Sequence, residues 1–98
     1  MFIRIVKMEF KKDKVNEFLS NFNANKEKIR AFEGCHFLEL YRSKEVLDVF
    51  FTYSYWESED ALEAYRSSEL FKNVWKKTKA LFASRAEAWS VDRIDSLH

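Results

Sequence analysis

One stretch of nine residues, 48–56 (DVFFTYSYW), limits the possible folds more than any other part of the chain. Its β-branched and aromatic residues predict a strand. Large apolar side chains occupy both alternating sets of positions, with Val49, Phe51, Tyr53 and Tyr55 in one set and Phe50 and Trp56 in the other. A strand with one solvated face would alternate between apolar and polar residues. The pattern therefore predicts a strand that is covered on both faces.

Three further segments have the composition of strands, and a helical pattern follows the first of them. The strands are predicted at residues 2–10, 35–42 and 87–95. Between the first two, apolar residues recur at intervals of three and four, which predicts a helix. Asp13 is its predicted N-cap, and Gly34 suits the left-handed residue that ends it.

A second helical region separates the third and fourth strands. Ser58 is its predicted N-cap, because acidic residues follow at once, where negative charge suits the helix dipole. Ser67-Ser68-Glu69 is a second capping signal, and apolar residues then keep helical spacing as far as Phe82. The resulting order, β-α-β-β-α-β, predicts an α+β, ferredoxin-like fold with a four-stranded antiparallel sheet.

The chain by itself can cover only one face of this sheet. The helices of such a fold lie on one side, so the aromatic residues of the other side need a second subunit. We expect residues 1–98 to form one domain, and a domain of this size buries only roughly 60–65% of the surface of its unfolded chain. Both observations predict a homodimer.

Composition excludes several classes of function. Lys+Arg 17 against Asp+Glu 16 leaves a net charge of +1, which argues against a nucleic-acid or membrane-surface partner. A single glycine, Gly34, cannot build a glycine-rich phosphate or dinucleotide site. No segment predicts a membrane span, and the first ten residues do not read as a signal peptide. A single cysteine, Cys35, excludes an intrachain disulfide and favours a reducing, cytoplasmic setting.

Metal, hydrolytic and RNA-binding sites are not expected either. Cys35 and His36 are adjacent in a predicted strand, so their side chains point to opposite faces and cannot share a metal ion. No serine stands in the sharp strand-to-helix turn that a hydrolase nucleophile needs. The RNA-recognition motif has the same order of elements, but the stretch 47–53 carries Asp48 and lacks the basic residue and glycine of that motif.

The aromatic side chains are the remaining candidates for function. Ten Phe, four Tyr and three Trp are hard to pack without voids in 98 residues, and buried Tyr and Trp also need polar partners. They fill the core and the dimer interface, or some of them line an apolar pocket between the helices and the sheet. The candidate ligand-binding residues are Tyr53, Tyr55, Trp56, Tyr65, Trp75 and Arg42.

His36 is the candidate catalytic base, provided that its ring faces this pocket. An imidazole can accept a proton at neutral pH, and the only other histidine is the terminal His98. A histidine on a strand that carries Leu38 and Leu40 on its own face is equally consistent with a packed core residue. Both interpretations stay open at the level of the sequence.

Residues 51–62 (FTYSYWESEDAL), followed by Tyr65, Ser68 and Phe71, resemble the antibiotic biosynthesis monooxygenase domain of the dimeric α/β-barrel superfamily. The shared pattern is a strand that ends in Trp, then Ser with acidic residues, Ala-Leu, and a later Ser-x-x-Phe. Residues 32–35 (FEGC), which enter the second strand, are a weaker match. The resemblance covers roughly residues 1 to 92.

This resemblance implies a protomer whose sheet faces the sheet of its partner, with the helices outside. It also implies a cofactor-independent monooxygenase for a small aromatic, phenolic or quinol-like substrate, in which the deprotonated substrate itself reduces O₂. Such an enzyme uses neither a metal nor a flavin, and it needs a shaped apolar cavity and a few hydrogen bonds. The alternative is a homodimer of the same fold that binds a small molecule without turnover.

The family also includes heme-degrading enzymes. These enzymes rely on an Asn on the first strand, a Trp in the second helix and an axial His. The two helical positions fall on Tyr65 and Trp75, and Lys7 lies near the strand position. No other residue nearby can replace the axial His, so heme degradation is not expected. The same correspondence predicts that Tyr65 and Trp75 line whatever cavity exists.

Overall fold

The four strands form one antiparallel sheet. A computed structural model describes all 98 residues, and its strands are β1 (Phe2–Glu9), β2 (Cys35–Arg42), β3 (Val49–Trp56) and β4 (Glu87–Val91). They lie in the order β2-β3-β1-β4, and every neighbouring pair is antiparallel. The predicted α+β, ferredoxin-like fold with a four-stranded antiparallel sheet is confirmed.

Three helices complete the chain: α1 (Val15–Arg30), α2 (Glu59–Arg66) and α3 (Glu69–Lys79). Both predicted serine caps are present, because the Ser58 Oγ accepts from the Ala61 N–H and the Ser68 Oγ from the Phe71 N–H, each at 3.1 Å. Ser68 also donates to the carbonyl of Tyr65, so it fixes the corner between α2 and α3. None of the helices is long and apolar enough to span a bilayer.

Two element ends differ from the prediction. Asp13 is not an N-cap, because Lys12–Lys14 form a 3-10 turn that runs directly into α1 and leaves no extended residue before it. β4 ends at Val91 and not at residue 95. Val91 pairs with Ile3, and since β1 begins only one residue earlier, almost no strand remains for further pairing.

Gly34 adopts the predicted left-handed conformation, with φ of +88°, but it lies beyond the end of α1. A side chain there would also meet the next layer, since a Cβ built on Gly34 would lie 2.5 Å from the Cβ of Ala61 in α2. The carbonyl of Gly34 accepts from the N–H of Glu57 at 2.8 Å. This residue therefore sets how closely α2 approaches the start of β2.

The two faces of the sheet differ, and the register shows which alternate residues of β3 share each face. Phe50, Thr52, Ser54 and Trp56 lie on the helix side. The opposite side, here called the outer face, consists mainly of apolar and aromatic residues from all four strands: Ile3, Ile5, Phe37, Tyr41, Phe51, Tyr53, Tyr55, Trp89 and Val91. Tyr41 and Trp89 are 46% and 44% exposed, so the chain leaves large rings of this face uncovered.

The core lies between the helices and the sheet as two separate clusters. The first consists of Met8, Phe10, Val15, Phe18, Phe50 and Leu81. The second consists of Ile29, Cys35, Trp56, Leu62 and Tyr65. The candidate site lies in the space between these two clusters.

Candidate functional site

A cavity of about 290 Å³ lies between the helices and the sheet, and members of both core clusters line it. Most of the residues around it are hydrophobic. Ligand sites in proteins are typically apolar clefts of about 300–1,000 Å³ with a few convergent polar groups. The size of this cavity therefore suits a small ligand.

Small and short side chains on the sheet leave this space open. Ala88 lies on the edge strand β4 and Ala86 just before it, and Thr52 and Ser54 lie on β3. Neighbouring strands lie about 5 Å apart, so an alanine or serine facing the helices leaves a gap that a leucine would fill. On the helix side, the rings of α2 and α3 pack against one another.

Aromatic rings from β3, α2 and α3 form a continuous row along the cavity. Trp56 stacks with Tyr65 at a centroid distance of 5.0 Å, and Tyr65 meets the edge of Phe71 at 5.2 Å. Phe71 stacks with Trp75 at 5.7 Å with only 13° between the ring planes. Stacked and edge-to-face rings stabilise one another beyond simple burial, so this row is a rigid wall suited to a flat ligand.

Two polar side chains beside the cavity, Trp56 and Thr78, already have protein partners. Trp56 Nε1 donates to the Ser54 Oγ at 2.9 Å. The Thr78 hydroxyl donates to the Val74 carbonyl at 2.8 Å and accepts from Asn21 at 3.2 Å. These groups position the wall and are not free for a ligand.

The Tyr65 hydroxyl has no such partner. The Tyr65 side chain is buried, and no protein group hydrogen bonds to its hydroxyl. Burial, with a smaller contribution from Cys35, raises the pKa of Tyr65 well above its ordinary value. Tyr65 therefore stays protonated near neutral pH and offers the cavity a hydrogen-bond donor, not a base.

Two arginines bring positive charge to the same cavity. Arg4 lies on β1 and Arg66 is the last residue of α2. Burial, and then the charge of Arg66, lower the pKa of Arg4, while the nearby carboxylate of Glu63 acts in the opposite direction. No Asp, Glu or His lines the cavity.

Three of the sequence-predicted binding residues lie together at this cavity: Trp56, Tyr65 and Trp75. Tyr53 and Tyr55 do not line it, because their positions on β3 place them on the outer face. Tyr53 packs there against Tyr41, and Tyr55 stacks on Phe37. The prediction that Tyr53 and Tyr55 line the pocket is therefore wrong. Successive side chains of a strand point to opposite faces, and these two alternate with Ser54 and Trp56, which face the helices.

Arg42 is also away from the cavity. Its guanidinium lies over the ring of Phe50 at 5.1 Å, and its Nε donates to the Leu47 carbonyl at 2.7 Å. Arg42 is the last residue of β2, at the far end of the strand from Trp56. Its contacts hold the β2–β3 turn, which gives Arg42 a structural role in this chain.

His36 does not face the cavity, so the condition for its role as base is not met. Its ring is 46% exposed and lies 3.7 Å from Glu57 Oε1. The physical reason is a β-bulge, since Cys35 pairs with Trp56 and Phe37 pairs with Tyr55, which leaves His36 unpaired between them. Alternation counted back from Leu38 and Leu40 therefore assigns His36 to the wrong face.

Sequence reasoning did not single out Arg4, Thr52, Ser54 or Arg66. A usable signal was present for Arg4, because it interrupts the otherwise apolar set of β1 residues that faces the helices. Thr52 and Ser54 interrupt the corresponding set of β3 in the same way. A polar residue on the buried side of a strand is a candidate for lining a site, since burial of an unpaired polar group costs free energy.

A second depression, of about 470 Å³, lies beside α1 and β2. It is a more open surface groove than the cavity, and charged side chains of α1, Lys26, Glu27 and Arg30, contribute to its lining. It has no aromatic wall of stacked rings. No three or more His, Cys, Asp or Glu side chains in the chain are grouped closely enough to hold a metal ion.

The family model for antibiotic biosynthesis monooxygenases matches residues 1–77. The chain belongs to the antibiotic biosynthesis monooxygenase family. The matched region contains β1 to β3, α2 and most of α3, and so nearly all of the aromatic wall. Comparison with functionally curated proteins finds no match.

Solved structures of this fold superpose closely on the chain. A conserved protein from Methanosarcina mazei Go1 has a TM-score of 0.88 at 23% identity, over 95% of this chain and 93% of that chain. Rv0793 from Mycobacterium tuberculosis has a TM-score of 0.88 at 18% identity, over 99% and 98% of the two chains. A candidate antibiotic biosynthesis monooxygenase from Caulobacter crescentus CB15 has a TM-score of 0.88 at 21% identity, over 96% and 90%. At these identities the likeness establishes the family fold alone.

Proposed function

We propose that this chain is a cofactor-independent monooxygenase that oxidises a small aromatic, phenolic or quinol-like substrate with O₂. The observation that carries the proposal is the apolar cavity with its row of stacked rings and one free phenol, Tyr65, in a chain of the antibiotic biosynthesis monooxygenase family. A flat substrate would lie against the rings, and the Tyr65 hydroxyl would orient its oxygen.

The proposed reaction needs few catalytic groups from the protein. In an anthrone, loss of a proton from the ring CH₂ leaves an electron-rich anion that reduces O₂ directly. One oxygen atom of O₂ becomes the new ketone, the other leaves as water, and the carbon supplies all four electrons. A hydrogen bond donated by Tyr65 would stabilise the negative charge that develops on the substrate oxygen. Stabilisation of developing charge is usually the largest contribution that polar groups make to catalysis.

The proton of the substrate finds no acceptor among the side chains of the cavity, because no carboxylate or imidazole lines it. Arg66 is about half exposed where it borders the cavity, so the site is open to solvent there. We propose that the proton passes to water at this opening. His36, beside Glu57 at the edge of the sheet, has no geometry that would support the role of base.

The proposal includes a homodimer formed through the outer face. Large contiguous apolar patches are uncommon on monomeric proteins, and the exposed rings of Tyr41 and Trp89 would be covered by a second sheet. We place the protein in the cytoplasm, since its only cysteine is a buried free thiol, which is typical of a reducing compartment.

A second candidate is a homodimer that binds a small aromatic molecule in the same cavity without turnover. The absence of a carboxylate or imidazole from the cavity favours it, because catalysis by proton abstraction usually uses such a group. The two candidates share a ligand and differ in whether O₂ is consumed.

Oxygen uptake with a panel of anthrones and hydroquinones tests the proposal. The wild type should consume O₂ with at least one of them, and Tyr65→Phe should lower the rate. Tyr41→Phe is the matched control, because it removes the same group from the outer face. Binding of a panel member without O₂ uptake would favour the non-catalytic candidate, and binding of none would contradict both.

A further inference from the structure

Arg4 and Arg66 line a cavity whose wall is otherwise mostly apolar. Arg4 pairs with Ser54 of β3 on one side and Ser90 of β4 on the other, so it lies in the middle of the sheet on its helix side. Arg66 follows Tyr65 directly and lies one helical turn after Leu62, so it borders the cavity from the α2 side. A charge beside apolar surface costs free energy unless an opposite charge or hydrogen bonds offset that cost.

The protein itself supplies only part of that compensation. One Arg4 nitrogen donates to the Ser90 Oγ at 3.0 Å, which is a neutral acceptor, and Arg4 forms no salt bridge. The nearby carboxylate, Glu63, accepts from Arg66 at 2.9 Å. Arg66 and Glu63 are near enough for their charges to act on Arg4, so two positive charges and one negative charge leave an excess of one positive charge around these three residues.

We infer that Arg4 and Arg66 bind an anionic oxygen group, a carboxylate or a phenolate, on the aromatic ligand of this cavity. The inference rests on the proposed function and narrows its substrate class to a flat aromatic anion. A guanidinium presents several N–H donors in one plane, a geometry that matches oxygen anions and gives stronger hydrogen bonds than neutral pairs do. The rings would hold the body of the ligand and the two arginines its charge.

The same pair would account for a cavity that contains no base. A phenol that binds beside two guanidinium groups is favoured as its anion, since an opposite charge a few ångströms away stabilises the ionised form. The proton then leaves to water without an imidazole or carboxylate to receive it.

The test compares three probes that share one ring system: 2-naphthoate, its neutral amide 2-naphthamide, and 2-naphthol. Calorimetric titration of the full-length wild type should show 2-naphthoate binding at least tenfold tighter than 2-naphthamide, a difference of about 1.4 kcal/mol. The absorbance spectrum of bound 2-naphthol shows whether the site recognises a phenolate or only a carboxylate. The naphtholate spectrum at neutral pH indicates phenolate recognition, and the neutral spectrum indicates that only a carboxylate is recognised.

Charge-removing variants locate the effect. Arg4→Gln and Arg66→Gln should each weaken 2-naphthoate about tenfold and change 2-naphthamide less than twofold. Lys72→Gln is the matched control, because it removes one positive charge from an exposed position of α3 outside the cavity. Arg66 is half exposed at a helix end, so Arg66→Gln keeps the test valid even if Arg4→Gln unfolds, which thermal melts would report.

Equal affinity of the wild type for 2-naphthoate and 2-naphthamide would overturn the inference and leave the apolar cavity as a ligand site. A preference that survives in both arginine variants would overturn it as well. Failure of all three probes to bind would overturn it together with the proposed function.

Discussion

The ring of Tyr65 stacks on the indole of Trp56, with the centroids 5.0 Å apart and 28° between the planes. The indole is itself held in place, because its Nε1 donates to the Ser54 Oγ at 2.9 Å. The Tyr65 ring therefore belongs to the core, while its hydroxyl has no protein partner. This separation between ring and hydroxyl allows their contributions to be measured independently.

Tyr65→Phe should leave the melting temperature nearly unchanged and weaken an aromatic ligand that carries an oxygen substituent by about 1 kcal/mol. The ring contacts are kept in this variant, and only one hydrogen bond to the ligand is lost. A thermal melt and a ligand titration measure the two effects. Tyr65→Ala is the contrasting variant, since loss of the stacked ring should lower stability by about 3–5 kcal/mol.

Ser54→Ala should destabilise the fold by about 1–3 kcal/mol, because it leaves the buried Trp56 N–H without a partner. Urea denaturation followed by circular dichroism measures the loss. Ser84→Ala provides the control, as Ser84 is exposed and its hydroxyl contacts only Glu9 at the surface. Equal losses in the two variants would mean that another group or a water molecule satisfies the indole.

Gly34→Ala should destabilise the fold by about 2–4 kcal/mol for two separable reasons. A non-glycine residue in the left-handed region costs about 1–2 kcal/mol, and the new methyl group would overlap the Cβ of Ala61. The double variant Gly34→Ala/Ala61→Gly removes only the overlap. Chemical denaturation should therefore show that the two substitutions are less damaging together than the sum of their separate effects.

Phe51→Asp and Phe50→Asp should fail in different ways. Phe51 lies on the outer face, so a charge there should yield a folded monomer if two sheets meet in a homodimer. Phe50 lies in the core between sheet and helices, where an unpaired charge costs several kcal/mol, so Phe50→Asp should unfold the chain. Sedimentation velocity at micromolar concentration with circular dichroism separates these outcomes. A monomeric wild type under the same conditions would rule out the proposed dimer.

Stability should fall as the pH rises above about 8.5, partly because of Cys35. Burial raises the pKa of this thiol in the folded protein, whereas the thiol of the unfolded chain has a pKa of about 8.5. The folded state then holds a proton that the unfolded state releases, so the contribution is complete below about pH 8.5 and is lost at higher pH. Urea midpoints between pH 7 and 10 should decline less steeply in Cys35→Ala. Identical slopes would show that Cys35 is not responsible.

The order of elements and the serine caps of α2 and α3 could be predicted from the sequence because the signals are local. Ser58 and Ser68 cap their helices through hydrogen bonds to N–H groups three residues away, and alternation along the strands depends only on neighbouring residues. Trp56 could be chosen because it ends a recognisable strand. Tyr65 and Trp75 could be chosen because they lie on the apolar stripes of their helices and correspond to helical site positions of the family that the chain resembles.

Positions that depend on a neighbouring strand could not be predicted in this way. β4 ends where its antiparallel partner β1 begins. Asp13 cannot cap α1 because it lies in a 3-10 turn that runs directly into that helix. The bulge at His36 inserts one residue into β2. Residues on its two sides that are an even number of positions apart therefore lie on opposite faces of the sheet. Nothing in the residues themselves marks that point.

The amino-acid sequence by itself determined an α+β sheet protein with a strand of large rings on both faces, and hence a surface that the chain cannot cover alone. Only the tertiary structure decided which rings share a cavity: it separates Tyr53 and Tyr55 from Trp56 and Tyr65, and it adds Arg4 and Arg66 to the site. The physical reason is that periodicity specifies which residues of one element lie on the same face. The pairing register and helix packing specify which faces of different elements meet.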